Sequence, residues 1–511
     1  MTKYPITFFN IVTVYMTYGV MIIFGYLEDL FEKVCASFFS VLGLVKSGKK
    51  RKILAPLTDS FQAFYVRKVY GRVHDILNRP ISSSPAAWID VLERKFVPNK
   101  VNQLEFTGKT QKCLNMGSYN YLGFTVPSGF HDKKIVETLE NYSPAMCSTR
   151  NEVGRSQKLI ELEKKVAEFV RKEDAICFAM GFATNSTSLP LICGKESLII
   201  SDCLNHASLV WGSRSSKATV RVFQHNNMNH LEKVIRNAIV KGQPRTGRPW
   251  KKIMIVVEGI YSMEGEIVPL PEIIALKKKY KCYLYIDEAH SIGAIGESSR
   301  GVVDYYNLNP SDVDILMGTF TKSFGSVGGY IAADKDIIDT LRLKSYSSIY
   351  ADSLSPACAE QILVALDSIM DKNVGNKRVK KLKENSNYLR KSLINKGFYT
   401  IGDMDSPVIP VLIYCPSVIA EFSRKCLAKG LALVSVGFPA TNLVDTRIRL
   451  CVSSAHTKSD LDHAINVMDK VGTKLMTRYK LKNKINPDKI KTPFEKFSLL
   501  ENNPKISIKQ N

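Results

Sequence analysis

Short apolar runs alternate with amphipathic patterns between about residue 111 and residue 360. The runs are rich in β-branched residues and predict buried strands, whereas apolar residues spaced three and four apart predict helices. The predicted strands are Ala175–Phe178, Ser197–Ser201, Thr219–Phe223, Ile253–Val257, Tyr283–Asp287 and Tyr330–Ala333, and the predicted helices are Gln157–Lys172 and Leu270–Tyr280. This alternation indicates an α/β domain with a mostly parallel sheet, whose ligands bind outside the carboxyl ends of the strands.

Different patterns flank this domain. From Ala55 to about Thr110 the chain is mixed and predicts an arm that packs on the larger body. After about residue 360, a charged helical pattern precedes strands near Val408–Tyr414, Ala432–Val436 and Ile448–Val452, which indicates a smaller α+β domain. We therefore expect five regions: a membrane anchor with a basic flank (1–54), the arm (55–110), the large domain (111–360), the small C-terminal domain (361–480) and a flexible basic tail (481–511).

The N-terminal run from Tyr4 to Leu27 contains no charged residue. As a helix, its 24 positions are long enough to cross a hydrocarbon core of about 30 Å. The run is too long for the apolar part of a signal peptide, and a buried helix is the alternative. Five basic residues stand between Lys46 and Lys52, against Lys3 alone upstream, which predicts a single crossing with the catalytic part in the cytosol.

The amino-acid composition indicates which classes of partner to expect. Lysine and arginine number 71 against 48 aspartates and glutamates, a formal net charge of +23, which favours phosphates, coenzyme A or an anionic membrane face. The basic residues are spread out rather than gathered in a stripe, so we expect no nucleic-acid partner. Eleven cysteines without a C-x-x-C pair argue against a zinc site and a disulfide framework, and no metal is expected.

Lys322 lies in the stretch Gly318-Thr319-Phe320-Thr321-Lys322-Ser323-Phe324-Gly325, just before a predicted strand. A lysine that forms a Schiff base needs a partly desolvated amine, and glycines let a bulky cofactor approach the backbone. A glycine-rich turn between two strands would explain the stretch equally well. The decision therefore depends on the residues at the other strand ends.

The predicted strand Tyr283–Asp287 continues into Glu288-Ala289-His290. A buried carboxylate is costly unless it is paired, and a protonated pyridine nitrogen is one partner that a fixed aspartate serves. His290 is near enough in sequence to reach the phenolic oxygen of the same ring. The competing interpretation is a DEAH-box helicase, which requires a phosphate-binding loop of the form G-x-x-x-x-G-K-[ST]. The nearest stretch, Gly242–Arg248, has arginine in place of that lysine, so we reject the helicase interpretation.

Other predicted strands end in further polar groups. Gly181 and Phe182 offer backbone N–H groups to a phosphate, His206 can stack on a planar ring, and Ser262 brings a hydroxyl to the same edge. Together with Lys322 and Asp287, these groups are the equipment of a pyridoxal phosphate enzyme.

Six motifs resemble the α-oxoamine synthase family over roughly residues 55 to 480. They are Asn120–Gly123, Cys147–Arg150, Asn205–Ser208, Glu258–Gly265, Asp287–Gly293 and Gly318–Ser323. Gly318–Lys322, Gly242–Thr246 and Val436–Thr441 resemble the catalytic long-chain-base subunit of this family in eukaryotes. The resemblance implies the fold-type I architecture of pyridoxal phosphate-dependent transferases, with a mostly parallel seven-stranded sheet and a smaller α+β domain. It also implies an N-terminal helix in the endoplasmic reticulum membrane.

The resemblance further implies a reaction and a role for each residue. The reaction is the decarboxylative condensation of L-serine with palmitoyl-CoA to 3-ketodihydrosphingosine, coenzyme A and CO2. Lys322 would hold pyridoxal 5'-phosphate covalently and later move the Cα proton of serine. The other roles are Asp287 at the pyridine nitrogen, His206 on the ring face, His290 and Ser262 at the ring oxygen side, Gly181, Phe182 and Thr319 at the phosphate, and Asn120 at the substrate.

Two positions depart from the family pattern. Gly437 stands where bacterial relatives have an arginine for the substrate carboxylate, so we expect Arg449 or Arg447 to replace it. Ala351 stands in the region where the family's homodimers supply a phosphate-binding threonine to the neighbouring subunit. Both departures predict a heterodimer with a related, lysine-lacking long-chain-base subunit, to which small regulatory membrane subunits could be added.

Two alternatives remain at this stage. Another α-oxoamine synthase that uses glycine, such as a 5-aminolevulinate synthase, would not need the N-terminal span. A non-catalytic scaffold subunit would keep the fold, but it would not need Lys322, Asp287 and His206 together.

Overall fold

The computed structural model describes residues 8–41, 60–97, 103–126, 130–438, 440–478, 487 and 490–501. Three parts of the predictions lie outside the described residues: positions 4–7 of the predicted span, the basic flank from Lys46 to Lys52, and most of the tail after residue 480.

The N-terminal part consists of two helices and a long β-hairpin. Its elements are α1 (Phe8–Val41), α2 (Ser60–Lys68), a 3-10 helix (Tyr70–Ile76), β1 (Trp88–Phe96), β2 (Leu104–Asn115) and α3 (Phe130–Tyr142). Strands β1 and β2 pair antiparallel. Helix α1 has 34 residues, which corresponds to about 51 Å, and it is longer than the uncharged run that predicted it.

The large domain alternates strands and helices, as predicted. Its elements are α4 (Gln157–Val170), β3 (Asp174–Phe178), α5 (Gly181–Ile192), β4 (Ser197–Asp202), α6 (Ala207–Ser215), β5 (Thr219–Phe223), α7 (Met228–Lys241), β6 (Lys252–Glu258), β7 (Ile260–Tyr261), β8 (Glu266–Ile267), α8 (Leu270–Tyr280), β9 (Tyr283–Asp287), α9 (Val302–Tyr305), a 3-10 helix (Pro310–Asp312), β10 (Ile315–Thr319), β11 (Gly329–Ala333), α10 (Lys335–Lys344), α11 (Tyr346–Ile349) and α12 (Pro356–Met370).

Seven of these strands form the central sheet in the order β3-β11-β10-β9-β6-β4-β5. Strand β11 is antiparallel to both of its neighbours, and the other pairings are parallel, so the prediction of a mostly parallel sheet is confirmed. The sequence pattern did not predict β10. Only three apolar residues, Ile315 to Met317, precede its glycine, and this run is shorter than the four to eight apolar residues that indicate a buried strand.

The small domain follows α12. Its elements are α13 (Gly375–Asn395), β12 (Val408–Tyr414), α14 (Pro416–Leu427), β13 (Leu431–Ala432), β14 (Val434–Val436), β15 (Thr446–Cys451) and α15 (Lys458–Lys474). Strands β12, β15 and β14 form one antiparallel sheet, while β13 pairs with β2. The arm is therefore joined to the small domain.

The tail contains a helix that the sequence pattern did not lead us to expect, α16 (Pro493–Glu501). Its Phe494 and Phe497 rings pack edge-on against Tyr305 and Tyr306, with ring centroids 6.2 and 5.9 Å apart. Aromatic contacts with the large domain thus hold this part of the tail in place.

Helix α1 contacts the rest of the protein along one side. Val14 and Tyr18 are buried against Val444 of the small domain. Further along α1, acidic residues surround the Lys68 amine of α2, with Glu32 at 2.8 Å and Asp29 at 3.2 Å. The opposite side of α1 exposes large apolar residues such as Phe24 and Phe31.

Candidate active site

Parallel strands of the central sheet end at one edge, where acidic and hydroxyl groups meet. Strand β4 ends in Asp202, β6 in Glu258, β9 in Asp287 and β10 in Thr319. Glu258 lies opposite Asp287 in the strand register. Four strand ends separated by long helical connections therefore converge on one small region, as the sequence predicted from the carboxyl ends of the strands.

Asp287 is buried at this edge and is held by two hydrogen bonds. Asn185 of α5 donates from Nδ2 to Oδ2 at 2.8 Å, and the Ala289 N–H donates to Oδ1 at 2.9 Å. The Tyr285 hydroxyl donates to Oδ1 of Asn185 at 2.6 Å, which turns the amide nitrogen of Asn185 toward the carboxylate. Each carboxylate oxygen keeps a lone pair, so Asp287 can accept one more donor.

Lys322 lies in the loop that joins β10 to the antiparallel strand β11. Burial lowers the pKa of Lys322 to about 8, while the nearby carboxylates of Asp287 and Glu258 oppose this change. The amine lies 5.3 Å from the centre of the Tyr119 ring. A substantial fraction of such an amine is neutral near pH 8, and the neutral form is the nucleophile that a Schiff base requires.

His206 stands at the start of helix α6, where its ring Nδ1 accepts the Ser208 N–H at 3.2 Å. This bond leaves the proton of the neutral ring on Nε2. Burial lowers the pKa of His206, and the Lys322 charge acts in the same direction, whereas Asp287 opposes it. His206 is exposed, and its ring lies edge-on to Phe182, with centroids 6.3 Å apart.

His290 is buried, and its burial lowers its pKa well below the ordinary value, with the Lys322 charge acting in the same direction. Its Nδ1 is 2.7 Å from the Tyr121 hydroxyl, and the Tyr119 ring lies edge-on at 5.2 Å. A neutral His290 with Nδ1 bonded to Tyr121 has Nε2 left for a second hydrogen bond.

Gly181 begins helix α5 at the same edge. A Cβ atom at Gly181 would lie 2.9 Å from Oγ1 of Thr319, so a larger residue would close the space between the helix start and β10. The Thr319 hydroxyl donates to the Gly328 carbonyl at 2.9 Å and lies 2.9 Å from the Thr321 hydroxyl. The start of α5, with its N–H groups that have no partner within the helix, therefore lies next to the Thr319 hydroxyl, and a helix start of this kind can bind an anion. Phe182 follows Gly181 in this turn, and Ser262 is half-buried in the turn between β7 and β8.

The two candidate arginines differ in their surroundings. Arg447 is buried and donates to the Met263 carbonyl at 2.7 Å and to Glu264 at 3.3 Å. Arg449 lies over the Tyr119 ring at 4.7 Å, and its charge contributes to lowering the pKa of Lys322. Arg449 therefore lies beside the lysine, whereas Arg447 is engaged with the turn that follows β7.

Asn120 lies farther from the strand ends. Its side-chain amide donates to the Pro85 carbonyl at 3.2 Å and to the Thr125 hydroxyl at 2.5 Å. The Oδ1 atom is buried and has no hydrogen bond among the described residues.

Three residues of the site had no role assigned from the sequence: Tyr119, Asn185 and Glu258. Tyr119 lies between Lys322, Arg449 and His290, although only its neighbours Asn120 and Tyr121 belong to a recognised motif. Glu258 accepts the His206 backbone N–H at 2.5 Å, and burial raises its pKa well above the ordinary value. Its position directly after the predicted buried strand Ile253–Val257 was the available signal.

The donor set fits pyridoxal phosphate. The Asp287 carboxylate, which has a lone pair left, suits the ring nitrogen, and the exposed His206 imidazole suits the ring face. The partly neutral Lys322 suits the aldehyde, and the start of α5 beside Thr319 suits the phosphate.

Comparison with known sequences agrees with this fit. Residues 111–468 match the family described as aminotransferase class I and II. Serine palmitoyltransferase 2 of Dictyostelium discoideum is 52% identical over 83% of this chain and 87% of its own. Long chain base biosynthesis protein 2a of Oryza sativa is 48% identical over 94% of this chain and 96% of its own. Human serine palmitoyltransferase 3 is 48% identical over 91% of this chain and 84% of its own.

Solved structures share the fold. A serine palmitoyltransferase with its pyridoxal phosphate internal aldimine is 25% identical, with a TM-score of 0.72 over 82% of this chain and 98% of its own. The serine palmitoyltransferase of Sphingomonas wittichii has a TM-score of 0.73 at 24% identity, over 83% of this chain and 100% of its own.

The low pKa of Lys322 leads to a prediction about the cofactor-free protein. We expect the rate at which pyridoxal phosphate becomes covalently attached to rise with pH and to level off above about pH 8, because the neutral amine reacts. Stopped-flow absorbance across pH 6.5 to 10 would measure this rate of attachment. A rate that still rises steeply toward pH 10 would contradict a desolvated Lys322.

Proposed function

Because this chain belongs to the aminotransferase class I and II family, we propose that it is a pyridoxal phosphate-dependent acyltransferase that condenses L-serine with palmitoyl-CoA. The products are 3-ketodihydrosphingosine, coenzyme A and CO2, which makes the reaction the first step in the synthesis of sphingolipid long-chain bases. One observation carries the proposal: Lys322, with its lowered pKa, lies near enough to Asp287 and Arg449 for both charges to act on it, in a chain 52% identical to a serine palmitoyltransferase.

Pyridoxal phosphate, when bound, supplies an electron sink that stabilises negative charge at the Cα atom of serine. Lys322 attaches the cofactor and then takes the Cα proton, a transfer for which an amine with a pKa of about 8 is suited at neutral pH. Asp287 accepts from the ring nitrogen and keeps it protonated. His206 covers one ring face, and its neutral state avoids adding a histidine charge to that of Arg449 beside Lys322.

The remaining polar groups orient the cofactor. The Gly181 and Phe182 N–H groups bind the phosphate, and the Thr319 hydroxyl joins them by turning its proton from the Gly328 carbonyl to a phosphate oxygen; the narrow space at Gly181 supports this arrangement. Ser262 and the Nε2 atom of His290 contact the ring oxygen side. Tyr121 fixes the orientation of His290 through the 2.7 Å hydrogen bond.

Arg449 binds the serine carboxylate in this proposal. It takes the role of the arginine that bacterial relatives have at the position of Gly437. We favour it over Arg447 because Arg447 already bonds Glu264 and a backbone carbonyl, whereas Arg449 lies beside Lys322. Asn120 lines the substrate side, with Oδ1 as the atom left to accept a donor.

A second chain and a membrane complete the proposal. Ala351 has no hydroxyl that could bind the cofactor phosphate of a neighbouring subunit. This supports pairing with a related long-chain-base subunit that lacks the lysine. Small regulatory membrane subunits join the pair in this proposal. Helix α1 is long and apolar enough to cross a bilayer. We place it as a single crossing of the endoplasmic reticulum membrane, with the catalytic part in the cytosol.

The role of Lys322 is tested by Lys322→Arg in the complete complex, with the exposed Lys335→Arg as the matched control. Arginine keeps the charge and much of the length but does not form a Schiff base. We expect normal assembly, no cofactor trapped by borohydride and no product from labelled serine and palmitoyl-CoA. Product above background from Lys322→Arg would overturn the assignment. A preference for glycine over serine in the unmodified complex would instead indicate a different α-oxoamine synthase.

The role of Arg449 is tested by Arg449→Ala, with Arg424→Ala as the control, because Arg424 of the small domain pairs with Asp75 of the N-terminal 3-10 helix. We expect the KM for serine to rise roughly ten- to hundredfold, since a charged hydrogen bond contributes about 1.5–3 kcal/mol. The KM for palmitoyl-CoA and the visible absorbance of the cofactor should stay close to those of the unmodified enzyme. An unchanged serine KM would exclude Arg449 as the carboxylate ligand.

Assembly is tested by affinity purification of the tagged full-length chain from its native membranes in detergent. We expect a yellow complex that contains a second chain of the same fold without the lysine. High-salt washes should leave the chain in the membrane pellet, and detergent should release it, since α1 is held by apolar contact rather than by charge. An active chain purified alone would refute the need for a partner.

A further inference from the structure

A buried charged cluster lies behind the site and has no role in the chemistry described above. Its centre is His225, in the loop after β5, whose side chain is 6% exposed. Nδ1 of His225 is 2.9 Å from Oδ1 of Asp202, and Nε2 is 3.3 Å from Oε2 of Glu266. The Tyr261 ring packs edge-on against the imidazole, with centroids 4.3 Å apart.

The two carboxylates keep the imidazole charged. Burial by itself would lower the pKa of His225, but the two carboxylates of Asp202 and Glu266 outweigh burial and raise the pKa to about 9. At neutral pH the ring is therefore charged: Nδ1 makes a hydrogen bond to Asp202, and Nε2 forms an ion pair with Glu266 without a well-aligned hydrogen bond, so His225 bridges two acids. The next residue, Asn226, repeats the bridge, because its N–H donates to Asp202 at 3.2 Å and its side chain to Glu266 at 3.3 Å.

Asp202 connects His225 to the turn that carries His206. Oδ1 of Asp202 also accepts the Leu204 N–H at 2.9 Å, and its backbone carbonyl accepts the Asn205 N–H at 3.3 Å. These bonds shape the turn between β4 and α6, at whose end the ring of His206 faces the site. A shift of Asp202 would therefore move the proposed stacking residue.

Glu266 connects His225 to the other side of the site. Glu266 pairs with Tyr261 across the β7–β8 hairpin, whose turn carries Ser262 and Met263. The Met263 carbonyl accepts from Arg447, and its sulfur lies 3.8 Å from Nη1 of Arg449. The hairpin thus contacts the residue proposed to bind the serine carboxylate.

We propose that His225 is a positioning residue: by bridging Asp202 and Glu266 it fixes the His206 turn relative to the Ser262 hairpin, and so aligns the cofactor face with the serine subsite. The proposal rests on the function proposed above. It assigns His225 no contact with cofactor or substrate, and His225 acts through the two segments that it joins.

The test compares His225→Gln with His230→Gln in the complete, cofactor-loaded complex. Glutamine replaces one of the two donors and removes the charge at His225. At His230, in the first turn of α7, the ring accepts only the Gln224 N–H, so the same substitution leaves the bridge intact. We expect His225→Gln to lower kcat/KM for serine roughly tenfold or more, as displacement of catalytic groups by a fraction of an ångström does, and to shift the visible circular dichroism of the bound cofactor. His230→Gln should change neither quantity.

A double-mutant cycle separates positioning from general stability. If His225 acts through His206, the loss caused by His225→Gln should largely disappear in a His206→Ala background, because the residue to be positioned is gone. Equal losses in both backgrounds would overturn the proposal, as would a lower melting temperature with unchanged serine kinetics and circular dichroism.

A second variant covers the case in which His225→Gln does not assemble. Glu266→Gln keeps the bond between His225 and Asp202 and weakens the other arm, so the same kinetic and spectroscopic changes are expected in smaller degree. Unchanged serine kinetics in Glu266→Gln would overturn the proposal. If the unmodified complex itself made no product from serine, the proposed function would fail, and the result would be distinguishable from a failure of the positioning role.

Discussion

The carboxylate of Asp287, buried at the end of a central strand, is the constraint on which the site depends. A buried charge is tolerated when hydrogen bonds and a counter-charge compensate it, and here Asn185 and the Ala289 N–H supply the bonds. Asn185 is oriented in turn by Tyr285 from the same strand. The start of helix α5 is thereby fixed against β9, and the proposed phosphate site at Gly181 belongs to the same rigid unit.

The electrostatics of the edge follow from that arrangement. Lys322 lies near Asp287, yet burial outweighs the attraction and leaves the amine with a pKa of about 8. His290 and His206 have lowered pKa values, so no second full positive charge from a histidine stands beside the lysine. His225, whose pKa is raised to about 9, is kept away from Lys322 between its own two acids. One edge of a sheet thus contains neutral and charged histidines, and local burial and hydrogen bonding decide between the two states.

The sequence was informative wherever a residue's role depends on its own strand. The predicted strands Thr219–Phe223 and Tyr283–Asp287 have the bounds found in the structure, and the carboxyl end of the second carries the candidate residues Asp287 and His290. Contacts between distant segments were not predictable from one sequence. Tyr121 and His290 are 169 residues apart, and nothing in either motif indicates their hydrogen bond. Strand β10 was missed because its apolar run is short, and α16 because its aromatic contacts come from the large domain.

The hairpin that carries Lys322 has a consequence for folding. Strands β10 and β11 are neighbours in sequence, whereas β4, β6 and β9 are joined through helical crossovers and pair only after long loops have closed. When only this hairpin has formed, the Lys322 side chain is still in water, and its amine has the ordinary pKa of a lysine. The desolvated amine comes into being only when the parallel strands are in place. Pyridoxal phosphate therefore binds the fully assembled sheet in preference to partly folded chains, and by mass action its cellular concentration contributes to how much of the protein is folded.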